Sequence, residues 1–419
     1  MDTLSAGMQP GTPAQLSPGA EFRRGWGIIV ASTFGIGLGL AAMPTYSMGL
    51  FAPQLVKEFH WSVGQIMASM TIVTMITLFA GPIFGSVAER VGARRIVLIG
   101  LPLWGLVFAS LSFSTASLGQ FYLTWALLGV VGAMTLPITF TRAVNRSFDA
   151  AKGLALGLSM TGTGLFGIFG KPFLGWVIAH HGWRAGFFAL GMLPILIALP
   201  IAFVLFREDD SGSHGLTHAP GERPGLTLGE ALREWRFWLI AIVLIPLSFA
   251  LGGPVPNLEL ILRDGGLTAQ QALTITPLMG MASICGRLVG GFLLDRIWAP
   301  LVGFVLLSMP AIAFMYFAGG HLTMGASAVA VFSLSFAVGI EYDLISFFVA
   351  RYFGLRRYGA IYGVLYVCFG AGAGLGPMFF GHDHDVSGNF SHILTFSAMM
   401  LVPCAACFLA LGRYRQFED

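Results

Sequence analysis

Charge is scarce in this chain. Of 419 residues only 23 are Lys or Arg and 20 are Asp or Glu. That is 10% charged, where a soluble domain carries roughly 25%. With 56% hydrophobic residues and a mean hydropathy of +0.78, the deficit excludes a water-soluble globular fold. The formal net charge of +3 is scattered over short loops, which excludes the continuous basic stripe that holds nucleic acid. Cysteine is equally sparse. Cys285, Cys368, Cys404 and Cys407 all fall in apolar segments, so they read as reduced packing residues and not as a disulfide framework. The Cys404–Cys407 spacing inside an apolar helix is packing rather than a redox pair or metal site. No metal cluster, nucleophile–base spacing or phosphate loop is present, and the GxG patterns lack the strand–loop–helix context of a nucleotide site. The chain is therefore not read as an enzyme, and no cofactor is expected.

What is there instead is long apolar runs, each near the roughly 20 residues that cross a bilayer. Twelve can be placed, near 25–55, 62–87, 95–114, 118–143, 153–179, 185–206, 237–262, 271–294, 300–317, 323–349, 358–381 and 390–412. The only long polar interval, Arg207–Trp235, divides them six and six. The expected organisation is a disordered N-terminus over 1–24, a six-helix bundle over 25–206, a linker over 207–235, a second bundle over 236–412 and a tail over 413–419. The first residues, rich in Gly, Pro, Ser and Gln, lack the short apolar core of a signal peptide.

Orientation follows from the basic residues. With the N-terminus inside, only Lys57, Arg184 and Arg263 of the 23 Lys and Arg lie in outer loops, and Lys171 and Arg287 lie within spans. Both termini are thus expected to be cytoplasmic, in a multi-pass integral protein of a bacterial inner or plasma membrane. The halves repeat weakly. Pro44–Ile66 and Pro254–Ala272 each carry a Pro-broken helix into a short outer turn and a new helix. Gly85–Arg95 after span 2 corresponds to Gly291–Arg296 after span 8. Two such halves describe an all-α membrane protein of twelve transmembrane helices in two pseudo-symmetric bundles, with its site near the midplane between them.

The intramembrane charges are the candidate site. Arg287 lies eight residues before Asp295, about 12 Å into the membrane. A guanidinium at that depth faces a watered, protein-lined cavity and marks a substrate or ion pathway. Its planar fork can grip a carboxylate bidentately and cannot be deprotonated. Span 10 carries Glu341 and Asp343 at similar depth. Two residues apart, they point to nearly opposite sides of a helix, so one is expected to face the cavity and the other a neighbouring helix. Either could carry a coupling proton or balance Arg287, and a fixed Arg287–acid lock between spans 8 and 10 is the competing reading. Lys171 on span 5 either snorkels to the interface or supplies a second cation. Glu259, late in span 7, could be an outer gate. Tyr362 and Tyr366 share a face of span 11 and, with Tyr46 on span 1, could hydrogen-bond a carboxylate beside Arg287. The alternative for Tyr362 and Tyr358 is an interfacial aromatic belt. His382 and His384, in GHDHDVSG, read as a solvated outer turn and not a metal site.

GSVAERVGARR (Gly85–Arg95) resembles the loop signature of the major facilitator superfamily, with Glu89 where Asp is more common. The resemblance implies a cytoplasmic gate built from Glu89, Arg90 and Arg94, with Asp295 and Arg296 as its counterpart in the second half. Tyr46–Ser62, Phe148–Gly164, Gly182–Phe187 and Gly286–Arg296 are similar to segments of the monocarboxylate transporter and oxalate/formate antiporter group. That likeness implies carboxylate binding by Arg287. The chain departs from the group at Thr45, where a lysine is usual in the animal carriers, and at Ser283, where an aspartate is usual. It also lacks the second cation that oxalate carriers place on span 11. The expected function is a secondary transporter, working as a monomer, that moves a small carboxylate by alternating access with H⁺ symport. Carboxylate/carboxylate exchange is the alternative, and a non-transporting membrane receptor for a small anion is the reading from another class.

Overall fold

The computed structural model describes residues 18–148, 152–207, 225–354 and 356–414. Twelve helical passes run through it. Pass α1 comprises Pro18–Gly37 and, after a break, Met43–Phe59; α2 is Val63–Val91, and α3 is Ala93–Ser110. Pass α4 joins Leu118–Gly132 to Pro137–Ser147. Lys152–Leu165 and a π-helical turn, Phe166–Gly170, begin α5, which continues into Lys171–Leu193. That run turns back at Gly182 (φ 79°), a left-handed backbone that favours glycine, so its second part and Leu199–Leu205 form α6. Pass α7 is Trp235–Gly252 with Pro254–Asp264, α8 is Ala269–Ile275 with Leu278–Leu294, and α9 is Ala299–Ser308 with Pro310–Ala318. Met324–Phe353 is α10, Tyr358–Ser387 is α11, and Ser391–Cys407 is α12.

Ten helical stretches among the described residues are long and apolar enough to span a membrane. One of them, Gly153–Leu205, contains the reversal at Gly182 and supplies two passes. The remaining pass is α1, whose two pieces are respectively too charged, through Glu21, Arg23 and Arg24, and too short. Its helix already starts at Pro18, which corrects the expected disordered segment 1–24 in its last residues. Residues 1–17, most of the linker (208–224) and most of the tail (415–419) lie outside the described residues.

The two halves use the same devices at matching places. Helix α2 begins with a capping box in which Ser62 and Gln65 satisfy each other's backbone N–H groups. Helix α8 begins with the same box, built from Thr268 and Gln271; such boxes fill otherwise orphan donors of the first turn. Thr33 of α1 bonds the Leu158 carbonyl of α5 at 3.2 Å, and Ser248 of α7 bonds the Phe369 carbonyl of α11 at 2.8 Å. At both crossings a glycine (Gly162 against Thr33, Gly372 against Ile245) lets the backbones touch, the small-residue packing that replaces a hydrophobic driving force in lipid.

Helix α11 is longer than expected. Its 30 residues span about 45 Å, more than the roughly 30 Å of hydrocarbon. The polar HDHD segment is therefore its last helical turns and not the loop the sequence suggested. His384 Nε2 lies 3.1 Å from Asp264 of α7, and no group of metal-ligating residues occurs among the described residues.

At the rim of the first half, the Trp183 indole and Arg184 donate to the two Glu58 oxygens, each at 2.5 Å. The Arg184 guanidinium also lies 4.2 Å from the Trp183 ring centroid. The hydrogen bonds from Trp183 and Arg184 hold the Glu58 carboxyl below its ordinary range. Stability from this cluster is complete above the ordinary carboxyl value, about 4.3, and is lost as pH falls through the lowered one. Acidification through that range is expected to lower the melting temperature, read by tryptophan fluorescence. Glu58→Gln should flatten the dependence; an unchanged acid profile in that variant would exclude the cluster as its source.

Candidate functional site

Among the described residues the halves meet on the face away from the termini. On the side away from the termini, Gly164 of α5 and Gly280 of α8 face each other so closely that neither has room for a Cβ. On the same side Thr71 of α2 donates to the Gly374 carbonyl of α11 at 2.6 Å. Asp385 of α11 accepts from the backbone N–H groups of Val63 and Gly64, both at 2.7 Å, so an acid of the second half caps a helix of the first. This far face is closed. Toward the termini, Gly85, Gly153, Gly157, Gly291, Gly359 and Gly363 on α2, α5, α8 and α11 meet nothing among the described residues within 4 Å of a Cβ position. The same four helices thus touch at one end and stand apart at the other.

Arg287 sits where they part. Its guanidinium is 3.8 Å from Asp343 Oδ1 of α10, with the two side chains 14% and 39% exposed. That separation is an ion pair but too long for a hydrogen bond. The buried Arg287 Nε has no hydrogen-bond partner among the described residues. The pair is loose, half open to the space between the halves, and has donor capacity to spare.

Glu341 takes the other direction, as its spacing from Asp343 requires. It is 3% exposed, and its Oε1 has no hydrogen-bond partner among the described residues. It shares a helix face with Leu344 and Phe348, which pack on Gly303 of α9 and Phe408 beyond α12. Of the two acids, Asp343 is the one beside Arg287, and Glu341 is enclosed within the second bundle.

The tyrosines converge on the same place. Tyr358, Tyr362 and Tyr366 stack along α11 with ring centroids 5.8 and 5.9 Å apart. The stack continues to Phe369 at 5.7 Å, which meets Tyr342 at 4.6 Å. Arg287 lies 5.8 Å from the Tyr342 ring centroid, near the cation–π range. The ladder therefore runs from the termini side of α11 to the level of Arg287, with Tyr362 in the field of both Asp343 and Arg287. Tyr46 is 7% exposed. It comes from the other half, where its hydroxyl reaches Ser283 and feels the charge of Arg287. Position 283, a departure from the resembled group, is thus where the two halves touch above the arginine.

Lys171 does not snorkel. It is 1% exposed and forms an ion pair across the halves with Glu259 of α7, itself 3% exposed. Its Nζ also lies 3.8 Å from Met279 Sδ. In this conformation the lysine is taken by Glu259 and does not stand beside Arg287.

Of the expected gate, Arg94 and Arg296 are each seen against a group of their own half. Arg94 donates to the Phe203 carbonyl at 2.8 Å, and Arg296 lies 3.6 Å over the Phe292 ring of its own helix. Arg90 and Asp295 are exposed, and the Glu89 side chain lies outside the described residues. Three participants carried no usable sequence signal. Asp385 is more than 300 residues from the helix it caps, and Tyr342 and Met279 look like ordinary apolar-face residues until the fold sets them against Arg287 and Lys171.

Two six-helix bundles, closed at one end and parted around a loosely paired arginine at the other, define a membrane carrier. Residues 28–377 match the sequence profile of the Major Facilitator Superfamily, and the chain belongs to that family. Within it the chain resembles the monocarboxylate transporter group. It is 25% identical over 409 residues to mouse "Monocarboxylate transporter 11", covering 93% of this chain and 88% of that protein. It is 24% identical over 377 residues to the "Gallate transporter" of Pseudomonas putida, covering 76% and 80%. A solved bacterial homolog of the human lysosomal transporter Spinster, in an inward-facing and unoccupied conformation, has the same fold. Its TM-score is 0.72 at 17% identity, over 94% of this chain and 97% of that one.

Proposed function

We propose that this transporter moves a small organic carboxylate by alternating access, in symport with H⁺, with both termini in the cytoplasm of a bacterial cell and a single chain as the working unit. The observation that carries the reading is Arg287: deep in the membrane, 3.8 Å from Asp343 and with an unpartnered donor. A substrate carboxylate there competes with Asp343 for one guanidinium, and a proton on Asp343 removes the competitor. Tyr46, Tyr362 and Tyr366 would give hydroxyls to the bound carboxylate. Glu341, enclosed and away from Arg287, is assigned no substrate contact. The transport of monocarboxylates and of gallate named for the two relatives supports the substrate class.

Symport also answers an energetic requirement. Moving one negative charge inward against 100 mV costs about 2.3 kcal/mol, and a proton carried with it cancels that term. Uptake of pyruvate and gallate into proteoliposomes should accelerate when the outside is acidified. Asp343→Asn should abolish the acceleration while leaving exchange of internal for external carboxylate. Uptake driven by internal carboxylate and indifferent to the pH gradient in the wild-type protein would establish exchange instead.

A further inference from the structure

One face of α8 carries Met279, Ser283 and Arg287, spaced by one turn, about 6 Å, each. Each meets a different partner. Asp343 pairs with Arg287, Tyr46 reaches Ser283, and Lys171 lies on Met279. The two intramembrane cations are therefore about 12 Å apart along α8, one at the open end and one behind the closed far face, with Tyr46 and Ser283 between them.

We infer that Lys171 is a second carboxylate station, where Glu259 is the resident occupant while the far face is closed. The inference rests on the reading of Arg287 as a carboxylate site within an alternating-access cycle. Lys171 belongs to the first half and Glu259 to the second, so opening of the far face must draw them apart. A buried charge stripped of its partner is strongly unfavourable, and within a membrane the cost is greater still. A carboxylate arriving from the far side relieves it by taking the place Glu259 leaves. That place is already shaped for such a group. Beyond Lys171, neither Glu259 oxygen has a hydrogen-bond partner among the described residues. Gly49 provides the space, since a Cβ there would overlap the carboxylate itself. The substrate then passes from Lys171 to Arg287 as the far face closes and Glu259 returns, with Tyr46 and Ser283 parting to let it through.

A lock that only holds the bundles together would have the same ion pair, and the variants separate the two. The full-length protein in detergent is melted in potassium acetate, benzoate and succinate, with potassium chloride as the reference. Glu259→Gln vacates the lysine. In an Arg287→Ala background it should restore a carboxylate-dependent rise in melting temperature, and adding Lys171→Gln should remove the rise again. A rise in Glu259→Gln that depends on Lys171 supports the station even where the wild type shows none, and in that case it is the Arg287 reading that fails. No Lys171-dependent rise in either background overturns the station. Should Glu259→Gln not fold, the exchanged pair Lys171→Glu/Glu259→Lys decides. It keeps the lock, so wild-type benzoate and acetate uptake in proteoliposomes overturns the inference, and lost uptake with unchanged melting temperature upholds it.

Discussion

Arg287→Ala is expected to reduce carboxylate binding and transport by about 30-fold to more than 1,000-fold, because a substrate carboxylate gripped by the guanidinium is a desolvated, hydrogen-bonded charge pair whose truncation costs roughly 2–5 kcal/mol, and 1.4 kcal/mol is about tenfold. Two losses combine. The substrate carboxylate loses its only cation at this level of the cavity among the described residues, and Asp343 loses its counter-charge. Arg287→Lys separates these effects. It restores the charge for Asp343 but not the planar fork, so folding should recover while affinity stays low. Thermal shift with mono-, di- and aromatic carboxylates reads both variants directly. Undiminished stabilisation of Arg287→Ala by any carboxylate that stabilises the wild type would remove Arg287 from the site.

Gly280→Leu should block the transport cycle without touching the charges. A Cβ at position 280 already meets the Gly164 carbonyl and approaches the Ile168 backbone N at 3.0 Å, and both neighbours are backbone that cannot rotate away. Overpacking of this kind costs about 1–3 kcal/mol or more, and 3 kcal/mol depopulates the affected state by about two orders of magnitude. Here that state is the one with the far face closed. Transport should fall about 100-fold, while carboxylate binding at Arg287 remains measurable. Spin labels on the far ends of α2 and α11 should move apart. Uptake within about threefold of wild type, roughly 0.7 kcal/mol, would show that the crossing of α5 and α8 relaxes around the added side chain.

Much of the architecture is legible along the chain because the bilayer leaves few choices. Every backbone group in hydrocarbon must be bonded within its own helix, so apolar run length alone places most passes. The exceptions are informative. The start of α1 at Pro18 is hidden from the apolar pattern because Glu21, Arg23 and Arg24 interrupt it. The helical end of α11 leaves no apolar signature because His382–Asp385 are polar, and the partners of His384 and Asp385, namely Asp264 and the N-terminus of α2, are distant in sequence.

The candidate site divides along the same line. Its ionisable members, Arg287, Asp343, Glu341, Lys171 and Glu259, stand out in the sequence because an intramembrane charge is costly and rare. Helical spacing alone also required Asp343 and Glu341 to diverge. Which of them met the arginine was decided by the packing of α10 on α8, where Gly286 and Gly290 lie against Phe336 and Ile340 and bring position 343 to Arg287. The partnership of Lys171 with Glu259 was likewise beyond periodicity, since it forms only where α5 packs on α8 and α7 packs on α1 across the two bundles. The number of crossings and the charges carried within them follow from composition along the chain, because hydrocarbon penalises exposed polarity residue by residue. Which charges pair and which face is closed follow from two bundles packing against each other, and no spacing within one helix encodes that.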